Sequence, residues 1–309
     1  MPRPITPPPG PPLTLTEVTA QLDQHGVDLT NEVSLHRCAA LLAGLQRNRT
    51  FLADHLIAAL KSDPNDPQPA SRYSAQVILL HRSPRGWYLR ANIWPAATDA
   101  AYAASGAAAF SYGVAHDHNF NFLTIGYVGP GYVSDHWEVD PEAVGGRHAE
   151  PLDLTFTGRS TLGEGQMLLY RAHRDLHCQL PPETLSVSLN IMDEGEHVPW
   201  RDQYIVDLGR EAGERAGQPA PTIARRPTLT SGELLLRCAV HLSTEARGIA
   251  NHVAQTHPVP RVRANAIAAL AAAAEGEGRA TVLEWGMQDS DARVRHDCKR
   301  SLEFRGCAR

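Results

Sequence analysis

The sequence has few cysteines, no long apolar run and no strong excess of charge of either sign. Its five cysteines are scattered, odd in number and never spaced as CxxC, which argues against a disulfide framework or a thiolate zinc site. No apolar run approaches the ~20 residues that cross a bilayer. The net charge of -5 gives no reason to expect nucleic acid or an anionic membrane as a partner. These absences favour a globular, cytoplasmic protein.

The chain of 309 residues is long enough for one large and one smaller domain. Residues 1–13 are rich in proline and lack the apolar core of a signal peptide, so they predict a disordered lead-in. Residues 14–62 predict an N-terminal helical cap, because Thr14 and Glu17 have capping-box spacing and two further helical patterns follow. The next stretch, SDPNDPQPAS, contains three prolines and predicts a linker.

Residues 72–206 change from helical to extended periodicity. Short β-rich runs such as QVILLHR, NFLTIGYV and LSVSLNIM alternate with turn residues. Many short strands with regular turns are typical of a β-sandwich or barrel. The alanine-rich stretch 96–109 fits either a loop or a short helix. The fold prediction is therefore a mainly β protein, with helices before and after a barrel.

Residues 228–309 return to a helical pattern and contain a weak internal repeat. The segments HPVPRVRANAIAAL and DSDARVRHDCKRSL share an Arg-Val-Arg motif and a closing leucine, 32 residues apart. This spacing indicates a HEAT-like helical domain. The repeated arginines fit either solvated helix starts or a groove for an acidic partner. The preceding stretch, GREAGERAGQPAPTIARRP, predicts a second linker.

The motif His116-Asp117-His118 is the strongest chemical signal in the sequence. Residues two apart in an extended strand point to the same face, so both imidazoles can reach one metal ion. His177 lies about 60 residues further on, after glycine-rich turns at 126–131 and 163–165, and is the third candidate ligand. Neutral imidazole suits iron, zinc, copper or nickel. The sequence therefore predicts a metal centre inside the barrel.

Several neighbouring residues leave alternatives open. His173 fits a ligand in place of His177, a support for His177, or a solvent-facing residue. Glu138 shares a predicted strand face with His136 and fits either a carboxylate ligand or a solvated residue. Cys178 directly follows His177, so its thiol is expected on the opposite face of the strand.

The order of these elements resembles the cupin superfamily: the HxH motif, two glycine turns, a strand, a single histidine and an S-x-S-L strand. Within it, the motif resembles the thiol dioxygenases, of which cysteine dioxygenase is the type. The resemblance covers roughly residues 88–192. It implies that His116, His118 and His177 bind ferrous iron. Tyr88-Leu89-Arg90 is similar to the segment whose arginine binds the substrate carboxylate, which implies the same role for Arg90.

The sequence departs from that family at two places. Phe122 and Leu123 stand where a cupin glutamate or the crosslinked cysteine of cysteine dioxygenases is expected. Asn190 and Met192 replace the histidine and tyrosine of the Ser-x-His-x-Tyr run that begins here at Ser188. These changes alter the hydrogen-bonding groups around the metal, and Asn190 and Tyr112 are then the candidates for that catalytic support.

The functional prediction is an iron(II)-dependent oxygenase or oxidase that uses dioxygen on a small thiol, an amino acid or a peptide-borne residue. Three histidines leave about three positions open on a six-coordinate iron, enough for dioxygen and substrate. The helical repeats add the option of a protein partner, because repeat surfaces bind extended partners. Two alternatives stay open: a non-catalytic cupin sensor or interaction protein, and a zinc or nickel cupin.

Overall fold

A computed structural model describes residues 1–61, 76–193, 202–209, 220–225, 231–274 and 276–303. The predicted linker SDPNDPQPAS and most of GREAGERAGQPAPTIARRP lie outside these residues. The chain divides into two units, Met1–Pro141 with Asp153–Val198 and Glu142–Leu152 with Pro199–Arg309. None of the helices in the described ranges has the length and apolarity that a membrane span needs. The domain bounds drawn from the sequence stay predictions.

Three helices lie near the N-terminus of the first unit: α1 (Leu15–His25), α2 (Glu32–Arg47) and α3 (Phe51–Lys61). The predicted capping box is present, because the Thr14 hydroxyl accepts a bond from the Glu17 backbone and the Glu17 carboxylate accepts one from the Thr14 N–H. Asn31 caps α2 by accepting bonds from two backbone N–H groups. The prediction of N-terminal helices is confirmed.

The described ranges contain twelve strands, the first of which precedes α1. They are β1 (Arg3–Ile5), β2 (Val77–Ser83), β3 (Trp87–Trp94), β4 (Ala115–His116), β5 (Phe122–Val128), β6 (Val133–Glu138), β7 (Thr155–Thr161), β8 (Met167–Tyr170), β9 (Asp175–Leu180), β10 (Ser186–Asp193), β11 (Ile205–Asp207) and β12 (Thr222–Arg225). The alanine-rich stretch forms α4 (Ala100–Ser105) and a 3-10 turn over Ala107–Phe110.

The first sheet is antiparallel, with the strand order β1-β8-β5-β10-β3-β2. Its edge strand β1 corrects one expectation, because the proline-rich lead-in was predicted to be disordered. Arg3 instead pairs with Leu169, and Ile5 with Met167. An edge strand tolerates proline, since one side of its backbone needs no ladder partner.

The two faces of the first sheet serve different purposes because side chains alternate along each strand. One face presents aliphatic residues, among them Leu89, Leu123 and Ile191, to the buried residues of α1 and α2. The other face presents aromatic residues to the interior between the sheets, including Phe122 and Tyr170. The helices thus cover the outside of the sheet and leave its inner face for the site.

In the second sheet, the strands of the first unit lie in the order β4-β9-β6-β7, again antiparallel. Two facing antiparallel sheets form a cupin-like jelly roll. The prediction of a mainly β protein is wrong in its proportions, because helical residues outnumber strand residues in the described ranges. The fold is mixed, with helices at both ends of the chain.

The second unit is helical apart from β11 and β12. It contains α5 (Ser231–Leu242), α6 (Thr244–Thr256), α7 (Pro260–Ala273), α8 (Gly278–Gly286) and α9 (Ala292–Glu303). The two repeat segments fall on α7 and α9, while membership of the HEAT class stays a prediction.

Arg261, at the start of α7, differs from a solvated helix-start residue. It is only 6% exposed and binds the carboxylates of Asp202 and Glu233. Arg293, its counterpart in the second repeat segment, binds the same Asp202 carboxylate. A buried charge needs such partners. Equivalent arginines of the two repeat segments therefore share one internal carboxylate.

Candidate metal centre

Two of the three predicted histidines lie on adjacent strands of the second sheet. His116 ends β4 and pairs in register with His177 of β9. His118 lies two residues beyond the end of the short strand β4. All three side chains are buried, with His177 fully inaccessible. The structure therefore brings the distant His177 together with His116 on β4 and with His118, which lies outside the strand.

The three rings form a compact triangle. Their centroids are 5.0 Å apart for His116 and His118, 4.5 Å for His116 and His177, and 5.0 Å for His118 and His177. One ring nitrogen from each histidine lies within 4.8 Å of the other two. A single ion with metal–nitrogen bonds of about 2.0–2.1 Å spans nitrogens up to about 4.2 Å apart, so a small inward movement of the rings would complete the site. This group could hold a divalent metal ion.

The hydrogen bonding of these rings suits metal coordination. His116 Nδ1 lies 2.9 Å from the Val114 carbonyl oxygen, which only accepts, so Nδ1 donates and Nε2 keeps its lone pair. Among the residues that the structure describes, neither nitrogen of His177 has a hydrogen-bond partner, and the same holds for His118 Nδ1. Buried polar atoms without a partner are costly, and a coordinated cation would give one nitrogen of each ring a partner.

Burial keeps these histidines neutral. It lowers the pKa of His116, and it lowers the pKa values of His118 and His177 well below their ordinary range. The neighbouring imidazoles act in the same direction for His118 and His177. Neutral imidazole is the form that binds metal, so the donor set fits the predicted ion.

Aromatic rings enclose one side of the triangle. Phe120 and Phe122 lie 4.9 Å and 4.8 Å from the His118 ring, and Tyr170 lies 4.8 Å from the His177 ring. Phe122 and Tyr170 stack on each other at 4.5 Å. Phe122, which stands where a cupin glutamate is expected, thus contributes an apolar wall in place of a carboxylate.

Arg90 and Asn190 are directly paired across β3 and β10, and Thr124 of β5 continues the same row. The row lies on the inner face of the first sheet. Desolvation lowers the pKa of Arg90, and the charge of Arg90 in turn lowers the pKa values of His116 and His118. Arg90 has no ion pair within the part of the chain that the structure describes. Asn190 Nδ2 is buried and has no hydrogen-bond partner within the described ranges.

Tyr112 lies in the aromatic cluster with Trp94 and Phe110. Its hydroxyl donates a hydrogen bond to the Pro95 carbonyl oxygen at 2.9 Å, and burial raises the pKa of this phenol. The structure thus gives the Tyr112 hydroxyl a backbone partner. The catalytic roles predicted for Tyr112 and Asn190, and the substrate-binding role of Arg90, stay predictions.

The structure places the residues whose roles the sequence left open. His173 contacts Asp117, with His173 Nδ1 3.0 Å from Asp117 Oδ2, and is not in the group of three histidines. Glu138 binds Arg174 at 3.1 Å and Arg171 at 3.4 Å and is not in the group of three histidines. Cys178 is buried and pairs with Asp135, on the opposite face from His177.

His136 is the interior residue that sequence reasoning undervalued. It pairs in register with His177, is fully buried, and places Nε2 2.9 Å from the Ser160 hydroxyl. Burial lowers the pKa of His136 to about 4. The alternation of the sequence placed His136 on the same strand face as Glu138. Only the pairing of β6 with β9 places it beside His177.

No known protein-family profile matches the chain, and no curated protein matches it in sequence. Solved structures do resemble it. A hydroquinone 1,2-dioxygenase from Sphingomonas sp. TTNP3 is 10% identical and covers 46% of this chain and 72% of its own, with a TM-score of 0.27. A salicylate 1,2-dioxygenase from Pseudaminobacter salicylatoxidans is 13% identical and covers 50% and 35%, with a TM-score of 0.27.

The DMSP lyase DddQ from Ruegeria pomeroyi DSS-3 is 11% identical and covers 63% of this chain and 79% of its own, with a TM-score of 0.24. At these scores the similarity does not carry an activity over to this chain. The geometry of the three histidines is the basis for a function.

Proposed function

We propose that the protein is a non-haem iron(II) oxygenase or oxidase that uses dioxygen on a small thiol, an amino acid or a peptide-borne residue. The observation that carries this proposal is the buried triangle of His116, His118 and His177, with ligand atoms within 4.8 Å. In the residues that the structure describes, neither buried nitrogen of His177 has a hydrogen-bond partner. A metal ion would explain the triangle and would bind one of these two nitrogens.

Iron is the metal favoured by the resemblance to thiol dioxygenases, and three neutral imidazoles are within its ligand preferences. Bound ferrous iron would supply the redox chemistry that amino-acid side chains lack. The chain itself supplies the enclosure: Phe120, Phe122 and Tyr170 keep bulk water away from the triangle.

Arg90 is proposed to bind an anionic end of the substrate. Its guanidinium lies on the inner face near His116 and His118, and in the described residues no carboxylate forms an ion pair with it. A planar guanidinium suits a carboxylate, which can accept two parallel hydrogen bonds. Asn190, paired with Arg90 across the strands, has an amide N–H₂ group to donate to the same substrate.

The test is the metal content of protein purified without affinity-tag metals, compared with His116→Ala and His177→Ala. We expect about one iron per chain in the wild type and loss of iron in both variants. His36→Ala is the matched control, since this histidine is exposed on α2. Oxygen uptake with a panel of thiols, amino acids and peptides then defines the substrate. A wild type that neither contains nor takes up metal would refute the proposal.

A non-catalytic cupin sensor or interaction protein is the second candidate. It is favoured by Asn190 and Met192, which stand where the resembling enzymes have histidine and tyrosine. In that case the protein would bind a small molecule, or a partner on its C-terminal helices, without consuming oxygen. Bound metal without oxygen uptake across the panel would favour this candidate.

A further inference from the structure

The turn between β8 and β9 folds back onto the segment that carries two of the three histidines. The His173 backbone N–H donates to the carbonyl oxygen of His118 at 2.8 Å. The Ala172 N–H donates to the Asn121 side chain at 2.9 Å. His173 Nδ1 also lies 3.0 Å from Asp117 Oδ2. The turn therefore holds the histidine segment through both backbone and side chain.

His118 depends on this turn more than the other two histidines do. His116 and His177 are paired in the β4–β9 ladder, whereas His118 lies beyond β4. The His116 ring is also oriented by the Val114 carbonyl, but His118 Nδ1 has no hydrogen-bond partner among the residues with described positions. The His173 N–H bond is thus a fixed point for the His118 backbone outside the sheet.

Asp117 connects the turn to both histidines. It lies between them in sequence, and its side chain is only 5% exposed. A buried carboxylate needs a donor, and His173, with a side chain 14% exposed, places one at 3.0 Å. Since a carboxylate only accepts, Nδ1 of His173 carries the donated proton.

His173 adopts a left-handed backbone conformation, with a φ of 57°. This region is uncommon for residues other than glycine and costs free energy, so the surrounding contacts must hold it there. The contacts include the two bonds to His118 and Asp117. A strained residue with two bonds directed at one segment indicates a role beyond turn formation.

We infer that His173 is a positioning residue that holds the segment His116–His118 in the geometry that binds metal. It acts through the Asp117 carboxylate and the His118 carbonyl and does not itself contact the metal. This inference rests on the proposed metal centre. It predicts that removing the His173 imidazole weakens metal binding while the three ligands stay in place.

The test is titration of metal-free protein with cobalt(II), followed by the visible absorption of the bound ion. His173→Gly removes the imidazole but permits the positive φ. We expect its cobalt affinity to fall about 10–100-fold, the usual effect of losing a residue that orients metal ligands. His173→Asn should recover most of this loss, because asparagine tolerates the same backbone conformation and can donate to Asp117.

Arg174→Ala is the matched control in the same turn, since Arg174 binds Glu138. It should bind cobalt as the wild type does. The unfolding midpoint of each metal-free variant separates weaker binding from general loss of the fold. Asp117→Asn combined with His173→Gly should weaken binding no more than the larger single effect, because both changes break the same contact.

The outcomes distinguish failure of the metal centre from failure of the positioning role of His173. A wild type that binds no cobalt would refute the metal centre itself. Wild-type affinity in His173→Gly, alongside normal binding in the wild type, would overturn the positioning role alone. Fully additive losses in the double variant would overturn the role of the Asp117 contact.

Discussion

Arg90 brings a positive charge to the inner face of the first sheet, opposite the paired amide of Asn190. If it binds a substrate carboxylate, Arg90→Gln removes a charge-assisted hydrogen bond worth about 1.5–3 kcal/mol. We expect kcat/KM to fall roughly 10–100-fold for a carboxylate substrate. The measurement is oxygen uptake with a substrate and its neutral amide. Equal losses for both compounds would contradict the role of Arg90.

His136 gives the metal-free protein a pH dependence. Its pKa is about 4 in the folded protein, because burial disfavours the charged ring, against an ordinary value of 6.5. As the pH falls from 6.5 towards 4, the unfolded chain binds a proton that the folded chain does not. The free energy of unfolding must therefore decrease in this window.

We expect the free energy of unfolding of His136→Gln to fall less steeply over the same pH window. The two slopes should differ by up to the equivalent of one bound proton. Urea unfolding of metal-free wild type and variant at pH 7, 6 and 5 measures both slopes. Wild type and variant both retain the other buried histidines, so the difference between their slopes isolates the effect of His136. Identical slopes would show that His136 does not titrate as its burial implies.

For single residues, the sequence was sufficient to select the three histidines that the structure brings together, His116, His118 and His177, while their role as metal ligands stays a prediction. The reasoning behind it was only partly right. Strand alternation was applied to His118, which lies beyond β4. The contact of His173 with Asp117 joins residues far apart in sequence, and no local pattern encodes it. Propensity and spacing describe neighbours along the chain, whereas this contact depends on how two turns meet.

Gly126 on β5 shows how closely backbones approach in the jelly roll. A Cβ at this position would overlap the carbonyl oxygen of Gly163, a backbone atom that cannot rotate away. We expect Gly126→Ala to lower the free energy of unfolding by about 3 kcal/mol, at the upper end of ordinary overpacking. Chemical denaturation measures this change.

Gly165, whose backbone N–H donates to the Gly126 carbonyl oxygen, is the control. Its φ is +74°, but a Cβ would meet nothing within 4 Å, so Gly165→Ala carries only the backbone cost of about 1–2 kcal/mol. A larger effect for Gly165→Ala than for Gly126→Ala would contradict the packing argument.

The elements differ in how far local sequence determined them. The capping box of Thr14 and Glu17 is complete within four residues, so α1 could be predicted from its own sequence. The edge strand β1 could not, because Arg3 pairs with Leu169 and its proline-rich sequence has no strand signal of its own. The partner in β8 supplies the hydrogen bonds that define the strand.

The stability of the second unit depends on ion pairs buried inside it. Arg261 is buried between Asp202 and Glu233, whereas Arg295, from the same repeated motif, is exposed and binds backbone carbonyls. Arg261→Met leaves two buried carboxylates short of a partner, which costs about 3–5 kcal/mol. We expect a lower unfolding midpoint for the helical unit, measured by far-UV circular dichroism.

Arg295→Met tests whether burial, and not the motif, decides the effect. We expect little change in its unfolding midpoint, because its side chain is exposed. Equal destabilisation by both substitutions would contradict the argument. Sequence alone treated these arginines alike, since the repeat is the same in both and only the packed unit separates them.

The position of β10 has a consequence for how the protein is made. This strand lies between β3 and β5 in the first sheet, yet it is the last of the three to leave the ribosome. At about 5–20 residues per second, translation separates the end of β3 from β10 by roughly 5–20 s. During that interval the nascent chain holds two strands whose inner edges lack their common neighbour. Such edges attract other strands, so this stretch of synthesis is where a chaperone would have most to protect.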